Sequence, residues 1–312
     1  MSGVLGALIP VFLIIALGQV LKRTLLPEDS HWVALERLTY FILFPALLIV
    51  SISRAELGHV KVFEVSASLL GAIGLFAALL TVLRKPICRS FALMGPSYTS
   101  VVQGSLRWNS YIALAVSGSL AGTAGLAVAA VGLTVMIPTL NTISVMVLAR
   151  HGERAAGGNR SMLAQIVRNP FIWSCAVGAL INALHLPVPA VLLDFGDILG
   201  RSSLALGLLV VGAGLRLADL RRPRPATWFT SIIKLLGLPL VAISIALMLG
   251  LRDVDLLVVA VGASVPSAPN GYVLARQMGG DAPLLAEILT VQTVLAALTM
   301  PAIIAGLAHL AG

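Results

Sequence analysis

Apolar residues in this chain run in long stretches separated by short polar ones, and the stretches are of membrane-spanning length. A helix that crosses the hydrocarbon of a bilayer needs roughly 20 apolar residues. Such segments recur from end to end, rich in Leu, Ala, Val and Gly, without the two-residue alternation of a barrel strand. The pattern predicts an all-α membrane protein with ten transmembrane helices, at 4–21, 35–53, 62–83, 97–119, 122–149, 167–185, 197–217, 227–250, 254–278 and 284–310. The first run reads as a retained span and not as a signal peptide, because no basic region precedes it and no small-residue cleavage motif follows. The fourth and ninth are the least apolar. Ser97, Gln103, Arg107, Asn109 and Ser110 interrupt the fourth, and Ser264, Pro266, Ser267, Pro269, Asn270 and Gly271 the ninth.

Charge orients the spans. Charged residues make up 11% of the chain, well below the roughly 25% of a soluble domain. The net charge of +8 sits in short loops and not on a water-facing surface, so no nucleic-acid partner is expected. With the N-terminus outside, the odd-numbered loops hold 16 Lys and Arg, Lys234 counted among them. The outer loops hold 4 (Arg54, Lys61, Arg201 and Arg252), and Arg107 lies within a span. The positive-inside rule then puts both termini on the extracytoplasmic side of a plasma (bacterial inner) membrane. Cys88 and Cys175 have no CxxC spacing and the five histidines are scattered. No metal site, cofactor or nucleophile–base pair is indicated, so an enzyme is not expected.

Self-similarity divides the chain in two. Asn109 in Trp108-Asn109-Ser110-Tyr111-Ile112 matches Asn270 in Pro269-Asn270-Gly271-Tyr272-Val273, an offset of 161. Arg54-Ala55-Glu56-Leu57 resembles Leu217-Ala218-Asp219-Leu220, and the Gly122–Leu126 stretch resembles Gly280–Leu284, at similar offsets. The expected organisation is a first five-helix repeat at 1–149, a short cytoplasmic linker at 150–166 and a second five-helix repeat at 167–312. An odd number of spans inverts the second repeat relative to the first. Inverted repeats with paired Gly/Pro-interrupted helices are an architecture of secondary transporters, which bind substrate near the midplane between them.

The candidate site is therefore the crossing of helices 4 and 9. Pro266 and Pro269 cannot continue a helix, and half-helix N-termini at membrane depth favour an anion. Candidate substrate contacts are Arg107, Asn109, Tyr111 and Gln103 from the fourth span, with Pro266, Ser267, Pro269, Asn270 and Tyr272 from the ninth. Asn109 and Asn270 either cap the helix breaks or touch substrate. A charge in mid-span is costly, so Arg107 either grips a carboxylate through its guanidinium, snorkels, or pairs with Glu64, Glu287 or Asp281. Glu287 and Gln292 are candidates for ion coupling, Glu287 equally for a solvated or salt-bridged role. Asn141, near Pro138, reads as a kink with interhelical bonding, and Gly118, Gly122 and Gly125 as small residues for close packing.

Several of these stretches resemble the auxin efflux carrier family in its compact bacterial form. They are Leu8-Ile9-Pro10-Val11-Phe12 through Gly18, Leu35-Glu36-Arg37-Leu38 with Phe44-Pro45-Ala46, Ser105–Ile112, Arg168-Asn169-Pro170, Leu206–Leu209 and Pro266–Gly280. The resemblance implies a sodium/proton-antiporter-like fold, distantly related to bile acid transporters. Helices 1, 2, 6 and 7 would be a scaffold against which the other six move as an elevator. It also implies transport of small organic acid anions, such as auxin in plant relatives and dicarboxylates such as malate or malonate in bacterial ones. The chain departs from the plant pattern at Trp108, where plant carriers have proline, and in lacking their long central loop. Expected partners are a small organic anion, the lipid bilayer and a second copy docked through the scaffold helices. Two other readings are a sodium-coupled symporter of the bile-acid type and a membrane receptor or sensor without transport.

Overall fold

The computed structural model describes residues 2–54, 61–153 and 170–310. The expected linker lies outside the described residues from 154 onward, as do 55–57 and Arg168-Asn169 of the motifs above. Among the described residues every regular element is helical. Lipid explains this, since backbone groups that cannot reach water must be satisfied within their own segment. We number the helices α1 (Ser2–Thr24), α2 (Asp29–Ser53), α3 (Val62–Val82), α4 (Arg84–Ser90), α5 (Gly95–Leu106) and α6 (Ser110–His151). They continue as α7 (Pro170–Ala183), α8 (Ala190–Ala213), α9 (Pro225–Met248), α10 (Asp253–Ser264), α11 (Asn270–Met278) and α12 (Ala282–Leu310). Seven described segments are long and apolar enough to cross a membrane, among them the 57-residue stretch Gly95–His151. This is a multi-pass membrane protein.

Within that stretch α6 is two helices. A straight helix of 42 residues would extend about 63 Å. Instead the backbone leaves helical geometry at Ala121 and at Gly122, whose φ of 55° suits glycine. The chain turns back there: Gly125 packs on the Ser117 carbonyl and Gly118 on the Leu126 side chain. The turn falls between the segments expected at 97–119 and 122–149.

Two groups of helices pack chiefly among themselves. In the first, α8 lies against α1 and α2, and α2 against α7. Glycine makes these crossings close: a Cβ on Gly18 would collide with the Leu209 carbonyl, and one on Gly212 with the Ile15 carbonyl. In the second, α10 packs on α6, α9 and α12, and α3 packs on α6 and α9. Exposed apolar stripes face outward; on α1 Ile9, Leu13 and Leu17 are exposed while Leu8, Val11 and Ile15 are buried. Such a helix is apolar all round, as a lipid-facing one should be.

Some boundaries differ from expectation. α2 begins at Asp29 and α8 at Ala190, each several residues early. α2 starts on Asp29-Ser30-His31, and Asp194 and Asp197 interrupt the early turns of α8, which hides both starts from hydropathy. In α8, Asp197 and Arg201 pair at 2.7 Å across one turn and so remain helical. Lys234 is a correction of substance. It was counted with the cytoplasmic loops, but it lies within α9 and is fully buried. Its side chain is drawn inward by a polar partner that no local pattern displays. α2 and α9 each contain one π turn, at Thr39–Leu43 and Ile233–Gly237, two residues ahead of Pro45 and Pro239. The wider turn relieves the clash a proline ring makes with the preceding turn.

Gly212→Val should separate α1 from α8 and destabilise the protein by about 1–3 kcal/mol. A lower midpoint of thermal unfolding in detergent would report it, with Gly6→Ala as control, since nothing stands within 4 Å of a Cβ there.

Candidate functional site

Both of the polar segments singled out in the sequence are interrupted. α5 ends at Leu106 and the chain runs extended through Arg107 to Asn109 before α6 begins. α10 ends at Ser264, Val265 is extended, and α11 starts at Asn270. Pro266 accounts for the second break, because the residue before a proline is pushed out of helical geometry. The first break has no proline. There Asn109 acts as N-cap, its Oδ1 accepting from the Tyr111 and Ile112 backbone N–H groups at 3.1 and 3.2 Å. Trp108 is buried beside Gly132 and Gly262, which leave room for the indole.

The two breaks satisfy one another. Asn109 donates its backbone N–H to the Pro266 carbonyl at 3.0 Å. The Gly104 carbonyl, left over near the end of α5, accepts from Ser267 Oγ at 2.6 Å and from Gln292 Nε2 at 3.0 Å. Gln292 Oε1 in turn accepts from the Ser267 N–H at 3.0 Å. Gln292, on α12, thus clamps the crossing from behind.

Beside the crossing lies a cavity of about 350 Å³. One wall is Glu36, Arg37, Tyr40 and Phe41 of α2 with Phe171 of α7. The other is the crossing itself, with Arg107, Asn109, Tyr111, Ala268, Pro269 and Asn270. Ile137, Asn141 and Val145 of α6 and Leu274 of α11 complete the lining. Arg37 and Asn270 are exposed at its rim, whereas Arg107, Asn109, Tyr111 and Phe171 are buried. The cavity therefore separates the two helix groups, which also meet where Phe44 stacks on Tyr111 at 4.9 Å.

Arg107 is 5% exposed. Its guanidinium donates to Ser144 Oγ at 2.9 Å and to Asn141 Oδ1 at 3.0 Å, both neutral acceptors on α6. Its stem lies over Gly271, at the N-terminal end of α11. Among the described residues no carboxylate lies within ion-pair distance of it. Glu64, Glu287 and Asp281 are accordingly not its partners. A hydrogen-bonded cation at a helix N-terminus is chemistry suited to a carboxylate.

Of the predicted site residues, Arg107, Asn109, Tyr111, Pro269 and Asn270 line the cavity. Gln103, Pro266, Ser267 and Gln292 lie behind it, within the crossing, and Tyr272 has Arg276 over its ring at 5.9 Å. Glu287 stands elsewhere: it accepts from the Arg224 N–H and from Thr227 Oγ1, both at 2.6 Å, and pairs with Arg224 Nε at 3.1 Å. Those bonds fasten the start of α9 to α12. Asn141 and Ser144 were missed as site residues; the signal available was their four-residue spacing from Ile137 and Leu140, which puts one face of α6 toward Arg107. Among the described residues no cluster of metal-ligating side chains occurs.

Broken helices crossing at a buried cation, beside a cavity between two helix groups in a multi-pass fold, define a membrane transporter. Residues 3–304 match the family model described as membrane transport protein, and the chain belongs to that family, the auxin-efflux-carrier-like one its motifs resemble. An uncharacterized transporter of Methanothermobacter thermautotrophicus is 24% identical over 300 residues, covering 93% of this chain and 94% of that protein.

Asn109→Ala should cost about 1 kcal/mol through loss of the N-cap, read as a lower unfolding midpoint. Glu287→Gln should destabilise by about 1–3 kcal/mol, because a buried hydroxyl and an N–H lose a charged acceptor. Ligand affinity in Glu287→Gln should keep its dependence on sodium, whatever that is in the wild type. A change in that dependence would make Glu287 a coupling residue.

Proposed function

We propose that the protein is a secondary carrier of small organic acid anions, working by efflux or exchange, with the substrate held at the crossing. The observation that carries this is Arg107, a buried guanidinium in the cavity wall with neutral partners alone among the described residues. An uncompensated charge at membrane depth is expensive, and a carboxylate arriving in the cavity would supply the missing compensation. Asn109, whose Nδ2 has no hydrogen-bond partner, offers a further donor.

The architecture in this reading is ten spans in two inverted five-helix repeats, 1–149 and 167–312. α5 with 110–120 forms the fourth span, 123–151 the fifth, and α10 with α11 the ninth. The separate packing of α1, α2, α7 and α8 supports a scaffold, and the cavity between it and the other helices supports elevator-type alternating access. Without Lys234 and Arg201, which both lie within spanning helices, the remaining charges still favour one side by 15 to 3, which supports an orientation with both termini outside a plasma membrane. Arg37 at the cavity rim then faces the cytoplasm, so the conformation is open inward.

The test is transport of malonate and succinate by the purified protein in liposomes. Arg107→Ala should lose about 1.5–3 kcal/mol of anion binding, ten- to hundredfold in affinity, and Arg107→Lys should recover part of it. Unchanged transport in Arg107→Ala, or a wild type that moves no carboxylate, would refute the proposal.

A further inference from the structure

Two half-helices point their carbonyl ends into the crossing, and a basic residue stands near each, though only Lys234 bonds a carbonyl there while the Arg107 guanidinium turns to Asn141 and Ser144 of α6. Arg107 directly follows α5 as its C-terminal cap. Lys234 reaches across from α9, and its Nζ donates to the Ala263 carbonyl at 3.2 Å, one residue before α10 ends. Lys234 is 0% exposed. Among the described residues it has no carboxylate within ion-pair distance and this single hydrogen bond.

Such a group is costly, because a buried charge without an ionic partner loses hydration that one carbonyl does not replace. The carbonyl end of α10 offsets part of the cost, since a helix C-terminus carries about half a negative charge. The N-terminal ends at Ser110 and Asn270 reach the same crossing with about half a positive charge each. The four helix ends therefore cancel, leaving two full positive charges, Arg107 and Lys234. In transporters with broken helices, unwound carbonyls and half-helix C-termini are where a coupling cation binds. Here an ammonium of the chain itself is already on such a carbonyl.

We propose that Lys234 is a built-in cation: its ammonium occupies the carbonyl end of α10 in place of a coupling metal ion such as sodium. With Arg107 it supplies the positive potential that holds the anion, so anion binding requires no sodium. This rests on the organic-anion reading above. Lys234 is not part of the cavity lining and acts as a positioning residue, through its field.

The experiment follows the purified full-length protein in detergent by thermal unfolding, in sodium chloride against choline chloride at equal ionic strength. In parallel it measures binding of malonate as its choline salt. Wild type should unfold at the same midpoint in both salts and bind malonate without sodium. Lys234→Met should unfold higher, since an unpaired charge is gone, yet bind malonate about tenfold more weakly. That is the order of effect one charge exerts over about 10 Å at an effective dielectric near 20. Lys234→Ala, which frees the Ala263 carbonyl, should gain stabilisation by sodium.

Three results would overturn the proposal: sodium-specific stabilisation of the wild type, no sodium response in Lys234→Ala, or unchanged malonate affinity in Lys234→Met. A lower midpoint with unchanged affinity in Lys234→Met would make the lysine a structural tie. If wild type binds no carboxylate at all, the organic-anion reading fails. The salt comparison on wild type and Lys234→Ala still decides whether Lys234 stands in for a cation.

Discussion

The backbone hydrogen bond from Asn109 to Pro266 joins two chain segments that have left the helix inside a membrane protein. At that depth an unpaired N–H or carbonyl has no water to turn to. Each break is thus tolerable only because the other is beside it. Around the bond, Ser267 and Gln292 both reach the Gly104 carbonyl. Gly104 has no side chain because a Cβ would press on Ile288 and Thr230. That closeness lets α5 lie against α9 and α12, which brings Gln292 into reach. The crossing is one polar unit assembled from three parts of the chain.

Much of the remaining structure holds that unit in place while leaving one flank open. The α1–α8 contact is built on glycines whose backbones nearly touch, and α2 lies against α7 and α8 with little space between. Facing it, α3, α9, α10 and α12 enclose the crossing in apolar side chains, among them Leu69, Val259 and Ile288, all buried. Between the two groups the contact is partly aromatic, with Phe44 on Tyr111, and partly the cavity. A flat stack constrains sliding less than interlocked glycine backbones do. The Phe44–Tyr111 stack and the cavity both lie beside the crossing that carries Arg107.

Charge is distributed to match. Several carboxylates away from the crossing are paired: Asp281 and Glu287 with Arg224, Asp194 with Arg54, Asp197 with Arg201. At the crossing the order is reversed, with two buried cations and only neutral hydrogen-bond acceptors. Stability alone would favour neutral residues there. The arrangement is understandable if an anion is part of the working protein.

The sequence by itself determined the membrane class, the family and the identity of the two interrupted segments. These depend on local properties: run length, a proline that removes an N–H, and an arginine where an apolar residue belongs. Asn109 and Asn270 were legible for the same reason, as repeated polar positions beside a break. What touches what was decided by the tertiary structure. Lys234 reads as one basic residue among many until the α9 helix carries it to the end of α10, 29 positions along the chain. Glu287 and Gln292 sit on one helix five residues apart, yet one holds Arg224 at the rim and the other clamps the crossing. Asn141 and Ser144 become partners of Arg107 only because the chain turns back at Gly122. Local pattern sets which residues are unusual; the packing of distant helices sets what each of them meets.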